Sequence, residues 1–98
     1  MSREEIKQDE VWVFMGDGAS HPCAVFSSRE SAENWISQQL VTGVLTAYVL
    51  NKSVYDWAIE HEYFMPKRED QLSPNFVGKF SSAYAEHYHY DGGELLDE

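Results

Sequence analysis

Between Ser27 and Gly43 the chain carries one clear helical repeat, with β-rich runs on both sides of it. Ala32, Trp35, Ile36 and Leu40 recur at the spacing that places side chains on one helix face. Ser27 followed by Glu30 reads as a capping box, and Gly43 reads as the left-handed residue that closes the helix. Before it, Val11-Trp12-Val13-Phe14-Met15 is a continuous apolar run, the pattern of a strand covered on both faces. Gly16-Asp17-Gly18 breaks that run, and Pro22 to Phe26 supplies a second short strand. After the helix, Val44 to Leu50 is a β-branched strand. A strand, helix, strand passage of this kind predicts a right-handed crossover, with the second and third strands pointing the same way.

Two shorter helices follow. Ser53 caps one, with Asp56 in its first turn and Val54, Trp57, Ala58 and His61 on one face. Ser73-Pro74 starts the other, since proline is tolerated at the first helical position, and Phe76, Val77 and Phe80 form its apolar edge. Ser82 to Tyr90 reads as a last, aromatic-rich strand. The predicted order is β-β-α-β-α-(α)-β. This is an α/β (α+β) domain with a single mixed sheet of about four strands and two to three helices packed on one face. With 98 residues the chain forms one domain, 1–98, with a core over about 11–91 and loosely held ends at 1–9 and 92–98, the second announced by Gly92-Gly93.

Composition narrows the function. At 43% hydrophobic and 14% aromatic residues the chain is too apolar to stay disordered. Seventeen Asp+Glu against seven Lys+Arg leave a net charge of −10. Such a surface repels nucleic-acid backbones and anionic lipid, because both are held by cations. No apolar stretch is long enough for a transmembrane helix, and Met1-Ser2-Arg3-Glu4-Glu5 lacks the apolar run of a secretory signal. One cysteine, Cys23, permits no disulfide framework within the chain and suits a reducing compartment. A cytoplasmic protein is expected.

Several constellations invite chemistry. His87 and His89 lie on one face of the last strand, about 7 Å apart, and His21, His61, Cys23 or a carboxylate would have to complete a metal site. His21-Pro22-Cys23 suggests a thiol beside a base, but no third group orients the histidine; a buried cysteine filling core space is the simpler reading. Gly16-x-Gly18 lacks the remaining glycine and lysine of a phosphate loop and reads as a turn. No catalytic residue, resident metal or cofactor is therefore assigned.

The tyrosines are more informative. Tyr84, Glu86, Tyr88 and Tyr90 alternate along the last strand, and tyrosine offers large contact area with few rotors and a polar tip. From Phe80 onward there is no base, while Glu86, Asp91, Glu94, Asp97 and Glu98 supply five acids. Carboxylates gathered beside exposed aromatics mimic nucleic acid and suit a basic protein partner.

Taken together, Val11-Trp12-Val13-Phe14, Ala24-Val25-Phe26-Ser27-Ser28, Trp35-Ile36, Leu45-Thr46-Ala47-Tyr48-Val49-Leu50, Val54-Tyr55-Asp56-Trp57-Ala58-Ile59 and Glu86-His87-Tyr88-His89-Tyr90 resemble a family of short bacterial domains. Those domains look like companions of secreted toxins, including the immunity proteins of contact-dependent growth inhibition. The resemblance covers about residues 11–91. It implies a non-enzymatic immunity protein that neutralises a cognate toxin domain, a basic nuclease, by covering its active site or substrate groove. The expected contacts are Glu86, Tyr88, Tyr90 and Asp91, with Glu60 and Glu62 beside them. An adaptor domain for a non-toxin protein is the alternative, and a metal-dependent hydrolase using His87 and His89 is the third reading.

Overall fold

The computed structural model describes residues 9–96. The apolar run at 11–15 falls in strand β1 (Glu10–Gly16), which pairs antiparallel with β2 (Ala24–Phe26) on one side and β3 (Gly43–Val49) on the other. Strand β4 (His87–Asp91) pairs antiparallel with β3, and the two-residue β5 (Glu94–Leu95) pairs antiparallel with β4. The sheet order is β2-β1-β3-β4-β5. The fold is α+β, a single five-stranded sheet with three helices. Every neighbouring pair is antiparallel, which corrects the expectation of a mixed sheet. β2 and β3 do point the same way, but β1 lies between them.

Alternation along each strand decides what is buried. Trp12 and Phe14 of β1, Leu45 and Ala47 of β3 and Tyr90 of β4 are buried and meet Ala32 and Ile36 of α1 (Arg29–Gln39). Trp35 packs edge-on to Phe14 with ring centres 5.7 Å apart and meets Phe26 at 5.6 Å. The other face of the sheet is only partly covered. Val11 and Val13 are half-buried while Met15 is 36% and Val25 63% exposed, so β1 is fully buried on one side only, contrary to the reading of its unbroken apolar run.

The helix ends explain several departures from the sequence reading. The N-cap of α1 is Ser28, not Ser27: its Oγ accepts from the Ser31 amide at 3.1 Å. The left-handed residue at the far end is Leu40 (φ 59°), not Gly43. Gly43 instead opens β3, where an added Cβ would lie 2.3 Å from the Met15 carbonyl oxygen and 2.8 Å from Phe14 Cζ. Only glycine fits so close an approach of two strands.

Helices α2 (Val54–Glu60) and α3 (Pro74–Lys79) start where the sequence places them, with Ser53 Oγ accepting from Asp56 and Ser73 Oγ from Phe76. A short 3-10 helix (Glu69–Leu72) precedes α3. These elements form their own aromatic cluster of Tyr55, Phe64, Phe76 and Phe80, with the Tyr55 hydroxyl donating to the Gln71 carbonyl at 2.8 Å. No side chain of α2 or α3 joins the main buried cluster, which corrects the expectation that all helices share one sheet face.

Two further readings change at the C-terminal end. Residues 83–85 turn rather than extend, so β4 begins at His87 and not at Ser82. Gly92-Gly93 (φ 59° and 90°) forms a two-residue turn of the kind that joins antiparallel strands, so the chain from 92 to 95 is a paired hairpin arm. Residues 1–8 and 97–98 lie outside the described residues. Among the described residues no helix is long and apolar enough to cross a membrane.

Candidate functional site

The end of α2 builds a projecting aromatic stack. Glu62 takes the left-handed conformation (φ 62°), its amide donates to the Ile59 carbonyl at 3.0 Å, and the Tyr63 amide donates to the Ala58 carbonyl at 2.8 Å. This is a Schellman termination, which brings the residue after the left-handed position back onto the last turn. Tyr63 accordingly meets Trp57 at 5.4 Å and stacks on His61 at 5.7 Å. The His61 Nδ1 lies 2.9 Å from the Trp57 carbonyl oxygen.

The turn before β4 adds a second wall. Ser82 Oγ accepts from the Tyr84 amide at 3.2 Å, and this places the Tyr84 ring parallel to Tyr63 at 4.2 Å. Tyr84 is 66%, Tyr63 43% and Tyr48 37% exposed. Beside this stack lies a cavity of about 300 Å³, whose lining includes Tyr48, Trp57, Tyr63 and Tyr84 together with Glu10 and Glu86. A wider groove continues from Glu10, Trp57 and His61 past Asp9 to Ser28 and Arg29 at the start of α1.

The charges around this groove are unequally matched. Lys52 donates to Glu60 at 2.6 Å, and Arg29 Nε donates to Glu33 at 3.1 Å, so both cations are neutralised within the chain. Among the described residues Asp9, Glu10 and Glu86 have no salt-bridge partner. The Arg29 guanidinium also lies 3.6 Å above the Tyr88 ring, a cation–π contact that covers that ring from the α1 side.

The structure divides the residues expected to form one contact surface. Glu86 lines the aromatic cavity, whereas Glu60 and Glu62 at the end of α2 stand outside its lining; all three are exposed, and Glu60 is engaged by Lys52. Tyr88 is half-buried between Arg29 and the sheet, and its hydroxyl donates to Glu86. That bond, and then partial burial, raises the Tyr88 pKa above the ordinary value. Tyr90 is a core residue, 3% exposed, with its hydroxyl donating to Glu33 at 2.6 Å. Burial, then the Glu33 contact, raises its pKa strongly. A free tyrosine face on β4 is thereby corrected: the alternate tyrosines point at α1. Asp91 stands at the opposite end of β4, roughly 17 Å along the strand from Glu86, and accepts from Thr42 Oγ1 at 3.3 Å.

The remaining candidates are placed plainly. His87 and His89 are exposed, with ring centres 5.4 Å apart, and His87 Nδ1 lies 2.7 Å from the Ala85 carbonyl oxygen. Among the described residues no group of three His, Cys, Asp or Glu is close enough to hold a metal ion. Cys23 is exposed at the start of the edge strand β2, so the reading of it as a buried small hydrophobe is corrected.

Sequence reasoning missed Tyr48, Trp57, Tyr63, Tyr84 and Glu10 as one site. Trp57 and His61 carried a signal, an aromatic pair at i, i+4 on a helix face, but that spacing reads equally as core. Tyr63 and Tyr84 are 21 positions apart in loops, and only the fold brings them together.

Comparison with known proteins adds the family and nothing on chemistry. No curated protein and no solved structure matches the chain. The sequence profile of a domain of unknown function, DUF7710, matches residues 11–96, from the first strand through the terminal hairpin, and the chain belongs to that family.

Proposed function

We propose that this chain is a non-enzymatic binding domain that neutralises a basic protein, a toxin domain of nuclease type, by presenting the aromatic and acidic groove beside α2 to its cationic surface. The observation that carries the reading is the juxtaposition at that groove. Exposed Tyr48, Tyr63 and Tyr84 border Asp9, Glu10 and Glu86, whose charges meet no cation among the described residues. Aromatic anchors lower dissociation rates and unmatched carboxylates speed encounter with a cationic partner. The net charge of −10 acts in the same direction over longer range. The nature of the partner rests on the sequence resemblance to immunity proteins, and the setting is the cytoplasm, where a toxin that cuts nucleic acid does its damage.

The test is co-expression with the product of the adjacent gene. The reading predicts stable co-purification and restored growth when that product is toxic. A neighbour that is harmless and does not bind overturns toxin neutralisation. A harmless neighbour that still binds the groove selects an adaptor role instead.

A further inference from the structure

We propose that the cavity between α2 and the 82–86 turn is a receptor for a single guanidinium group, the side chain of an arginine presented by the basic partner; this inference rests on the binding role proposed above. Three features define the ligand. The first is size: about 300 Å³ is at the small end of binding cavities, enough for one long side chain.

The second is the lining. Trp57, Tyr48, Tyr63 and Tyr84 supply aromatic surface; Tyr63 is held between His61 and Tyr84 in one stack, so exposed Tyr84 carries the outer face of that stack. Aromatic rings attract a cation through their negative faces, and a flat guanidinium stacks on them. Among the described residues the hydroxyls of Tyr48, Tyr63 and Tyr84 donate no hydrogen bond, whereas those of Tyr55, Tyr88 and Tyr90 do. They remain available as acceptors for ligand N–H groups.

The third is charge. Glu10 and Glu86 line the cavity without a salt-bridge partner among the described residues. One Glu86 oxygen accepts from the Tyr88 hydroxyl, which leaves the other, while Lys52, the cation that lines the same cavity, is matched by Glu60 at 2.6 Å. An anion would meet two carboxylates, and an apolar ligand would strip them of water with nothing in return. A guanidinium offers five N–H donors to the carboxylates and hydroxyls and sheds water more readily than an ammonium, so arginine is preferred over lysine.

The experiment titrates the ¹⁵N-labelled full chain with the blocked tripeptide Gly-Arg-Gly and follows the three indole N–H signals and the Ala85 amide. A saturable shift of the Trp57 indole and Ala85, with Trp12 and Trp35 unmoved, is expected. The citrulline peptide, which has the same shape and no charge, should produce no shift. The lysine peptide and the Glu86→Gln variant should each bind about fivefold more weakly. Tyr84→Ala, at a side chain 66% exposed, should abolish the shift while leaving the circular dichroism unchanged. Equal binding of citrulline, or no saturable shift at tens of millimolar arginine peptide, overturns the guanidinium site. If the peptide fails while the toxin still associates, this inference falls and the binding role stands. If the peptide binds at Trp57 and no basic partner associates, the binding role falls and the site stands.

Discussion

Gly43 shows how one residue sets a structural condition that composition hides. Its Cα faces the Met15 carbonyl across the β1–β3 ladder, and a methyl group there would overlap backbone that cannot move without breaking the pairing. Gly43→Ala is therefore expected to destabilise the fold by about 3 kcal/mol or more in chemical denaturation. Gly78→Ala, in α3 with nothing within 4 Å of the added Cβ, should stabilise by up to about 1 kcal/mol. Tyr90 makes a second residue-scale prediction. Its hydroxyl is buried and donates to Glu33, so the native state holds the proton above the ordinary tyrosine pKa, near 10, at which the unfolded chain releases it. The stabilisation is complete below pH about 10 and is lost as pH rises above it. Tyr88, raised in the same direction by Glu86, adds to that slope. Tyr90→Phe should lower stability at neutral pH by roughly 1–2 kcal/mol and flatten the alkaline decline, measured as denaturation midpoints from pH 8 to 11.

At the scale of elements, helix caps give the sharpest checks. Ser28→Ala should cost about 1 kcal/mol while Ser27→Ala costs almost nothing, because only the Ser28 hydroxyl accepts from the helix. Glu62 occupies the left-handed position after α2, where a side chain is strained, so Glu62→Gly should stabilise by about 0.5–1 kcal/mol. The same change removes a carboxylate beside the groove and should slow association with a basic partner, which separates the two roles in one variant. These elements also show what could be read from the chain alone. Ser53 and Ser73-Pro74 mark helix starts by local chemistry, and local chemistry decided there. The one-residue shift at Ser27-Ser28 was not legible, since adjacent serines offer the same oxygen and only the entry angle of the chain selects between them. Gly92-Gly93 reads alike as a fraying end or a hairpin turn. Pairing of Tyr90 with Leu95 decides for the turn. The tyrosines of β4 misled for a related reason: alternation identifies a face, but whether α1 covers it depends on the sheet order.

For the whole molecule, the domain separates a buried sheet face from an exposed aromatic end. Core residues from β1, β3, β4 and α1 hold the sheet, and α2, α3 and the 80–86 segment carry aromatic side chains that this core does not absorb. The overall α+β class and most elements were legible from periodicity, which is a local property. The site was not, because its rings and carboxylates come from β1, β3, α2 and the 82–86 turn and meet only in the fold. The net charge of −10, spread over the sequence, becomes specific where Asp9, Glu10 and Glu86 border exposed rings. The most direct measurement is the association rate with the product of the adjacent gene, the partner proposed above, as salt rises from about 50 to about 500 mM, where screening shortens the reach of surface charge. For the native chain the rate should fall about tenfold or more, and Glu10→Gln with Glu86→Gln should slow it at low salt and flatten the dependence. A rate indifferent to salt, or one unchanged by those two substitutions, would contradict the assignment of this groove as the surface that receives a basic partner.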